Sequence, residues 1–315
     1  MGNINAKAVI GTNSWGSRSY GNAVRGSYVE DDIIIEAMRE AENRGLMIYD
    51  LARDYGFGKA QKMFGEFLEE VGGDDIIISA KYTPFSHYRK GCVRRSIEKD
   101  LADFKRDHVD IYWLHLPADI EEHLTEIIEL YSEGKIKHIG ISNFDLEECR
   151  FSKRILDKAG IPLYGVQNHY SLISREWEKN GLLDWCMENG VSFWAWAVLE
   201  EGMLTDPRVK TKLSLMKFFM KRQKRKMRGL YRVMIAVAKR HGITVPQVAE
   251  AYCANKGIVP ICGCRKPGQV RELAEAVEVR LTHGEMRRLE EAADMSGAKV
   301  LGHDLFRFAV PKKRG

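Results

Sequence analysis

Short apolar runs alternate with amphipathic stretches along most of the chain. Eight runs read as β-strands: residues 8–13 (AVIGTN), 46–50 (LMIYD), 75–82 (DIIISAKY), 108–115 (HVDIYWLH), 136–143 (IKHIGISN), 163–168 (LYGVQN), 191–198 (VSFWAWAV) and 257–264 (GIVPICGC). Several are apolar on both alternating faces, which suits strands buried on both sides of a parallel sheet. Between them lie helical patterns over 30–44, 58–71, about 90–106, 145–159, 175–189, 228–241 and 267–278. The first shows the reason clearly: Ile33, Ile34, Ala37 and Ala41 share one face, and Gly45 ends it. Eight strand–helix alternations with no linker rich in Gly, Pro or Ser predict a (β/α)8 TIM barrel, with residues 1–315 as a single domain. No G-x-G-x-x-G follows the first strand, which argues against a dinucleotide-binding open sheet. Residues 204–227 form a long loop after strand 7. Residues 284–315 run past the last predicted helix as a C-terminal extension.

The strand ends carry the chemistry. Asp50 and Tyr55 follow strand 2, Lys81 ends strand 3 and His115 ends strand 4. In a (β/α)8 barrel the C-terminal strand ends converge on one mouth, so these residues become neighbours. Tyrosine is a poor acid at neutral pH, but a neighbouring ammonium favours its phenolate. Lys81 can supply that charge, Asp50 can hold it, and His115 can donate a hydrogen bond that orients a carbonyl. This set can protonate an oxygen as negative charge builds on it. The matching step, hydride delivery to the carbon, requires a cofactor.

Composition narrows the classes. The chain has 315 residues, 44% of them apolar, with a net charge of +5. No apolar stretch approaches the ~20 residues of a membrane span, and the N-terminus does not read as a signal peptide. The six cysteines are scattered, and the Cys262–Cys264 spacing lacks the second ligand pair of a zinc site, so no metal is expected. Reduced thiols fit a cytoplasmic protein. A basic cluster (Lys217, Lys221, Arg222, Lys224, Arg225, Lys226 and Arg228) reads either as a solvated helix face or as a clamp for an anionic ligand. No nucleic-acid recognition motif accompanies it.

The motifs at these positions resemble those of the aldo-keto reductase superfamily from about residue 8 to residue 280. YDLARDYGFG, SAKY, DIYWLHLP and GKIKHIGISNF are similar to four of its segments, in order. The resemblance implies that Asp50, Tyr55, Lys81 and His115 are the catalytic tetrad of an NADPH-dependent enzyme reducing an aldehyde or ketone. It implies that Ser142, Asn143 and Gln167 bind the nicotinamide carboxamide and that Trp196 stacks on the ring, where the family usually has Tyr. CGCRKPGQVRE resembles the adenosine-binding segment. There Gly263, Arg265, Lys266, Gln269 and Glu272 are the implied contacts, and Arg265 favours NADPH over NADH because a guanidinium suits a phosphate dianion. The chain departs from the family at Ala60-Gln61 (usually Ser-Glu), Ala197-Val198 (usually Ser-Pro) and Leu273 (usually Asn).

Some readings stay open. Trp194 and Trp196 point the same way by strand alternation, so alternation does not choose between them as the stacking ring. Trp113 and Trp194 read as core. Trp15 and Tyr20 can line a substrate pocket. An alternative on the same fold is a cofactor-binding redox sensor with slow turnover. A weaker one uses Lys81 as a Schiff-base residue.

Overall fold

The computed structural model describes residues 4–16, 28–207, 222–300 and 310. Eight parallel strands close into a barrel in sequence order: β1 (Val9–Gly11), β2 (Ile48–Asp50), β3 (Ile77–Tyr82), β4 (Val109–Leu114), β5 (Ile136–Ser142), β6 (Leu163–His169), β7 (Ser192–Trp196) and β8 (Val259–Gly263). Closure is made by β8 against β1, where Val9 pairs with Ile261 and Gly11 with Gly263. Each strand lies within the apolar run that predicts it, except that β6 extends one residue further, to His169.

Around the strands run α1 (Asp31–Asn43), α2 (Lys59–Val71), α3 (Cys92–Phe104), α4 (Ile120–Ser132), α5 (Leu146–Lys158), α6 (Glu176–Lys179), α7 (Leu182–Glu188), α8 (Arg228–His241), α9 (Val245–Asn255), α10 (Pro267–Ala276) and α11 (His283–Ser296). Two expectations need correction. The helix over 175–189 is two pieces, because Gly181 adopts a left-handed φ of 82° between them. The extension after 284 begins as α11, whose Thr282 and Glu285 form a reciprocal capping box. The same device starts α9 at Thr244 and Gln247 and α5 at Asp145 and Glu148. Among the described residues no helix is long and apolar enough to cross a membrane.

Two apolar clusters result from strand alternation. The larger lies between strands and helices; the smaller fills the barrel, with Val9, Ile48, Ile111, Trp113, Tyr164, Trp194, Val259 and Ile261. Trp113 and Trp194 are fully buried with ring centroids 5.1 Å apart, and Tyr164 packs against both. Such a layer of large rings needs space on neighbouring strands. Gly140 supplies it: a Cβ there would lie 2.3 Å from the Trp113 ring. The β5–β6 register also shifts at Ile139/Gly140. The indoles therefore floor the barrel beneath its C-terminal mouth.

Candidate active site

Asp50 ends β2, and its carboxylate organises the base of the mouth. Lys81, on the neighbouring strand, donates to Asp50 Oδ2 at 2.5 Å. Oδ1 accepts from Ser79 Oγ at 3.1 Å and Gln167 Nε2 at 2.9 Å. Ser79 in turn accepts from Trp113 Nε1 at 2.8 Å, which ties the carboxylate to the aromatic floor. Lys81 has no exposed surface. Burial holds its ammonium below the usual range, and the nearby Asp50 charge opposes that shift.

Tyr55 begins a short 3-10 turn, Tyr55–Gly58, just after β2. The turn passes close under the first βα loop: a Cβ on Gly56 would lie 2.6 Å from the Trp15 carbonyl oxygen, and its φ is 56°. Only glycine combines that approach with that backbone. The turn sets the Tyr55 ring 5.1 Å from Lys81 Nζ and edge-on to His115, with centroids 6.4 Å apart. Burial pushes the His115 imidazole down to about 4; Asp54 and Asp50 oppose the shift and the Lys81 charge adds to it. The ring is therefore neutral at neutral pH. All four residues expected at the mouth lie together.

The positions expected to hold a nicotinamide form a second group beside them. Ser142 ends β5 and donates to the Gln167 carbonyl oxygen at 2.8 Å. Asn143 follows with a left-handed φ of 66°, a conformation asparagine tolerates better than most residues. Its Nδ2 donates to the His115 carbonyl oxygen at 3.0 Å, and its Oδ1 accepts from Trp196 Nε1 at 3.1 Å. The structure thus separates the two tryptophans that alternation left equal: Trp194 is sealed in the floor, whereas Trp196 is partly exposed above it. Behind Trp196 stands buried His169, centroids 4.7 Å apart, with its two ring nitrogens facing Ser174 and Glu200. Glu200 also accepts from Ser171, and this holds a turn in which Ala197, Glu200 and Glu201 all have positive φ.

At the far side, Gly263 ends β8 and is exposed. Arg265 donates its backbone N–H to Gln269 Oε1 at 2.9 Å, closing the turn into α10. Lys266 is the N-cap residue of α10 and makes no side-chain cap. Arg265 and exposed Lys266 thus stand where the helix N-terminus favours an anion. Glu272 is one turn on, its carboxyl raised by burial. Leu273 is wholly buried and contributes to the core.

Other expectations meet different outcomes. Trp15 is fully buried, donates to the Cys264 carbonyl oxygen at 2.9 Å and packs on Tyr49, so it does not line a pocket. Tyr20, Lys217 and Lys221 lie outside the described residues. Arg222, Arg225, Lys226 and Arg228 are exposed and Lys224 is half-buried, which suits either reading of the cluster. The sequence did not single out Ser79, Thr83, Asp54, His169 or Glu200. Ser79 alone carried a hint, since it shares a strand face with Lys81.

The geometry fits a nicotinamide cofactor: an amide, a hydroxyl and a partly exposed indole face surround one place, and the Gln167 side-chain amide is held beside them by its Nε2 bond to Asp50. The chain is 27% identical over 287 residues to the aldo-keto reductase YhdN of Bacillus subtilis, covering 84% of each. It is 25% identical to the NADH-specific methylglyoxal reductase of Escherichia coli, covering 84% of this chain and 89% of that one. The fold matches that of an aldo/keto reductase from Klebsiella pneumoniae in complex with NADP and acetate, with a TM-score of 0.70, 23% identity and coverage of 98% and 93%. The aldo/keto reductase family model matches residues 7–294. On this ground the chain belongs to the aldo/keto reductase family of oxidoreductases.

Proposed function

We propose that the protein reduces an aldehyde or ketone to an alcohol with NADPH, using Tyr55 as the general acid. The observation that carries this reading is the buried Lys81–Asp50 pair set 5.1 Å from the Tyr55 ring. Bound NADPH supplies hydride to the carbonyl carbon. As the carbonyl π pair moves onto oxygen, the Tyr55 O–H bond breaks and its proton passes to that oxygen. The Lys81 ammonium stabilises the phenolate left behind, and Asp50 keeps the ammonium in place. His115 orients the substrate. Ser142, Asn143 and Gln167 would hold the carboxamide, and Trp196 would lie against the ring. Gly263, Gln269 and Glu272 would line the adenosine end. Arg265, with Lys266 beside it at the start of α10, supports NADPH over NADH.

Tyr55→Phe tests the mechanism. We expect turnover to fall by at least about a thousandfold, since general acid catalysis contributes 10²–10⁴ and the lost hydroxyl also binds the substrate. NADPH binding, followed by quenching of tryptophan fluorescence, should be unchanged. Undiminished turnover would remove Tyr55 from the chemistry. If the wild-type protein binds NADPH tightly yet turns over none of a panel of aldehydes and quinones, the alternative of a redox sensor takes its place.

A further inference from the structure

The turn that carries Tyr55 is strained. Gly56, Phe57 and Gly58 take left-handed φ values of 56°, 57° and 85° in succession. Glycine does so freely, but a bulky residue does not. The Phe57 ring is 94% exposed, so no buried surface offsets its backbone. Strain of this kind persists only where neighbouring structure holds it in place.

Arg53 ties the turn down. It lies two residues before Tyr55, and its side chain passes the other end of the turn: a Cβ on Gly58 would lie 3.8 Å from Arg53 Nη1. The guanidinium ends on α3. Nε and Nη2 donate to Asp100 Oδ1 at 3.0 and 2.6 Å, and Nη1 donates to Asp103 Oδ2 at 2.5 Å. Gln61 of α2 donates to the same Asp100 oxygen at 2.8 Å. Where the family usually has Glu at position 61, a carboxylate here reaches that place from α3. The anchor is firm, because Gly65 brings α2 onto α3: a Cβ there would lie 1.8 Å from the Asp103 carbonyl oxygen. Asp100 is wholly buried and Arg53 is half-buried. The fork of a guanidinium lets one side chain serve both carboxylates, which a single ammonium does not match.

We propose that Arg53, Asp100 and Asp103 are positioning residues, a clamp that holds the strained turn so that the Tyr55 ring stays beside Lys81 and His115. The catalytic part rests on the reductase reading above. None of the three belongs to the tetrad, so the placing of the acid depends on an ion-pair cluster outside the site. Asp100 also makes the clamp sensitive to pH. Burial, helped by the Asp103 charge, pushes its carboxyl up to about 6, although Arg53 and Gln61 oppose the shift. Arg53 faces it from the loop after β2, Gln61 from α2, Tyr112 from β4 and Asp103 from its own helix. Protonation removes the charge that Arg53 grips, so the clamp weakens as pH falls through about 6.

Carbon-13 NMR of the full chain labelled at tyrosine reads the turn directly, with Tyr55→Phe identifying its signal among the twelve tyrosines. We expect a single Tyr55 signal in the wild type at neutral pH, displaced or broadened in Arg53→Met. Glycine takes a left-handed φ without strain, so adding Phe57→Gly to Arg53→Met should move the signal back. Asp103→Asn, which leaves Asp100 paired, decides the matter if Arg53→Met does not fold. A Tyr55 signal that the deciding variant leaves unchanged overturns the clamp whatever the activity.

Kinetics test the link to catalysis. With NADPH and aldehyde saturating, Arg53→Met should lose about tenfold in kcat, keep its Kd for NADPH within about twofold, and regain about threefold with Phe57→Gly, as expected when an acid is misplaced rather than removed. The wild type should lose kcat in acid with a midpoint near 6, whereas Asp100→Asn should be slow and level across the same range. An unchanged kcat in Arg53→Met, a loss confined to NADPH binding, or the wild-type acid limb in Asp100→Asn overturns the catalytic role. A wild type that reduces no aldehyde, while its Tyr55 signal responds to Arg53→Met, sinks the reductase reading and that role together and leaves the clamp standing.

Discussion

Lys81 and Asp50 hold opposite charges where neither meets water, and each depends on the other. Replacing one member of a buried ion pair strands its partner. Lys81→Met is therefore expected to cost about 3–5 kcal/mol of folding stability as well as activity; urea unfolding followed by tryptophan fluorescence measures it. A loss below about 1 kcal/mol would mean that Ser79 and Gln167 alone satisfy Asp50. At this scale the sequence was informative about chemistry and silent about support. Asp50, Tyr55, Lys81 and His115 were legible because strand order converts their spacing into a place. Thr83, Ser79 and His169 were not, because a hydroxyl or a second histidine near a strand end has many possible partners. Only coordinates say that Thr83 joins Asp54 to His115. Trp15 misled for the converse reason: an aromatic next to the mouth can as readily turn inward, and this one is held there by the Cys264 carbonyl.

At the scale of elements, apolar runs located every strand, since strands buried on both faces leave little else to choose. Helices were harder. The pattern passed over α4 and α9, and α11 was taken for an extension with no helix of its own. α9 is the instructive case: eight of its eleven residues are buried, Gln247 and Glu250 among them, so it lacks the clean polar face that marks a surface helix. Contacts between elements are set by features with no sequence period at all. Gly140 is one. Gly140→Ala should press a methyl group into Trp113 and cost about 1–3 kcal/mol, the usual penalty of overpacking. Chemical denaturation of Gly140→Ala, and of the same change combined with Trp113→Phe, checks this; the smaller ring should recover part of the loss. Equal losses with and without the smaller ring would show that the strain lies elsewhere.

For the whole molecule, pH dependence follows from a group remote from the tetrad. Glu250 is buried in α9, its Oε2 has no hydrogen-bond partner among the described residues, and burial, helped by the Glu272 charge, pushes its carboxyl up to about 8. Between the ordinary value of 4.5 and about 8 the folded protein holds a proton that the unfolded chain releases. Its contribution to stability is thus complete below the lower value and is lost as pH rises towards the upper one. Glu250→Gln carries no such proton. Thermal melts should place the variant level with the wild type at pH 4.5 and a few degrees above it at pH 8; an offset independent of pH would exclude Glu250 as the titrating group. The barrel as a closed form was legible from eight alternations, but what fills it was only partly so. Trp113, Tyr164 and Trp194 make the interior a cup with a solid base beneath the strand ends that carry Asp50, Lys81 and His115. On the proposed function, nicotinamide seated against Ser142, Asn143, Gln167 and Trp196 would occupy the bottom of that cup, and a carbonyl compound reaching Tyr55 would come to rest on top of it. On that reading a vessel of this shape imposes a queue: the cofactor would arrive first and depart last, and the shape of the container would dictate the sequence of events in each turnover.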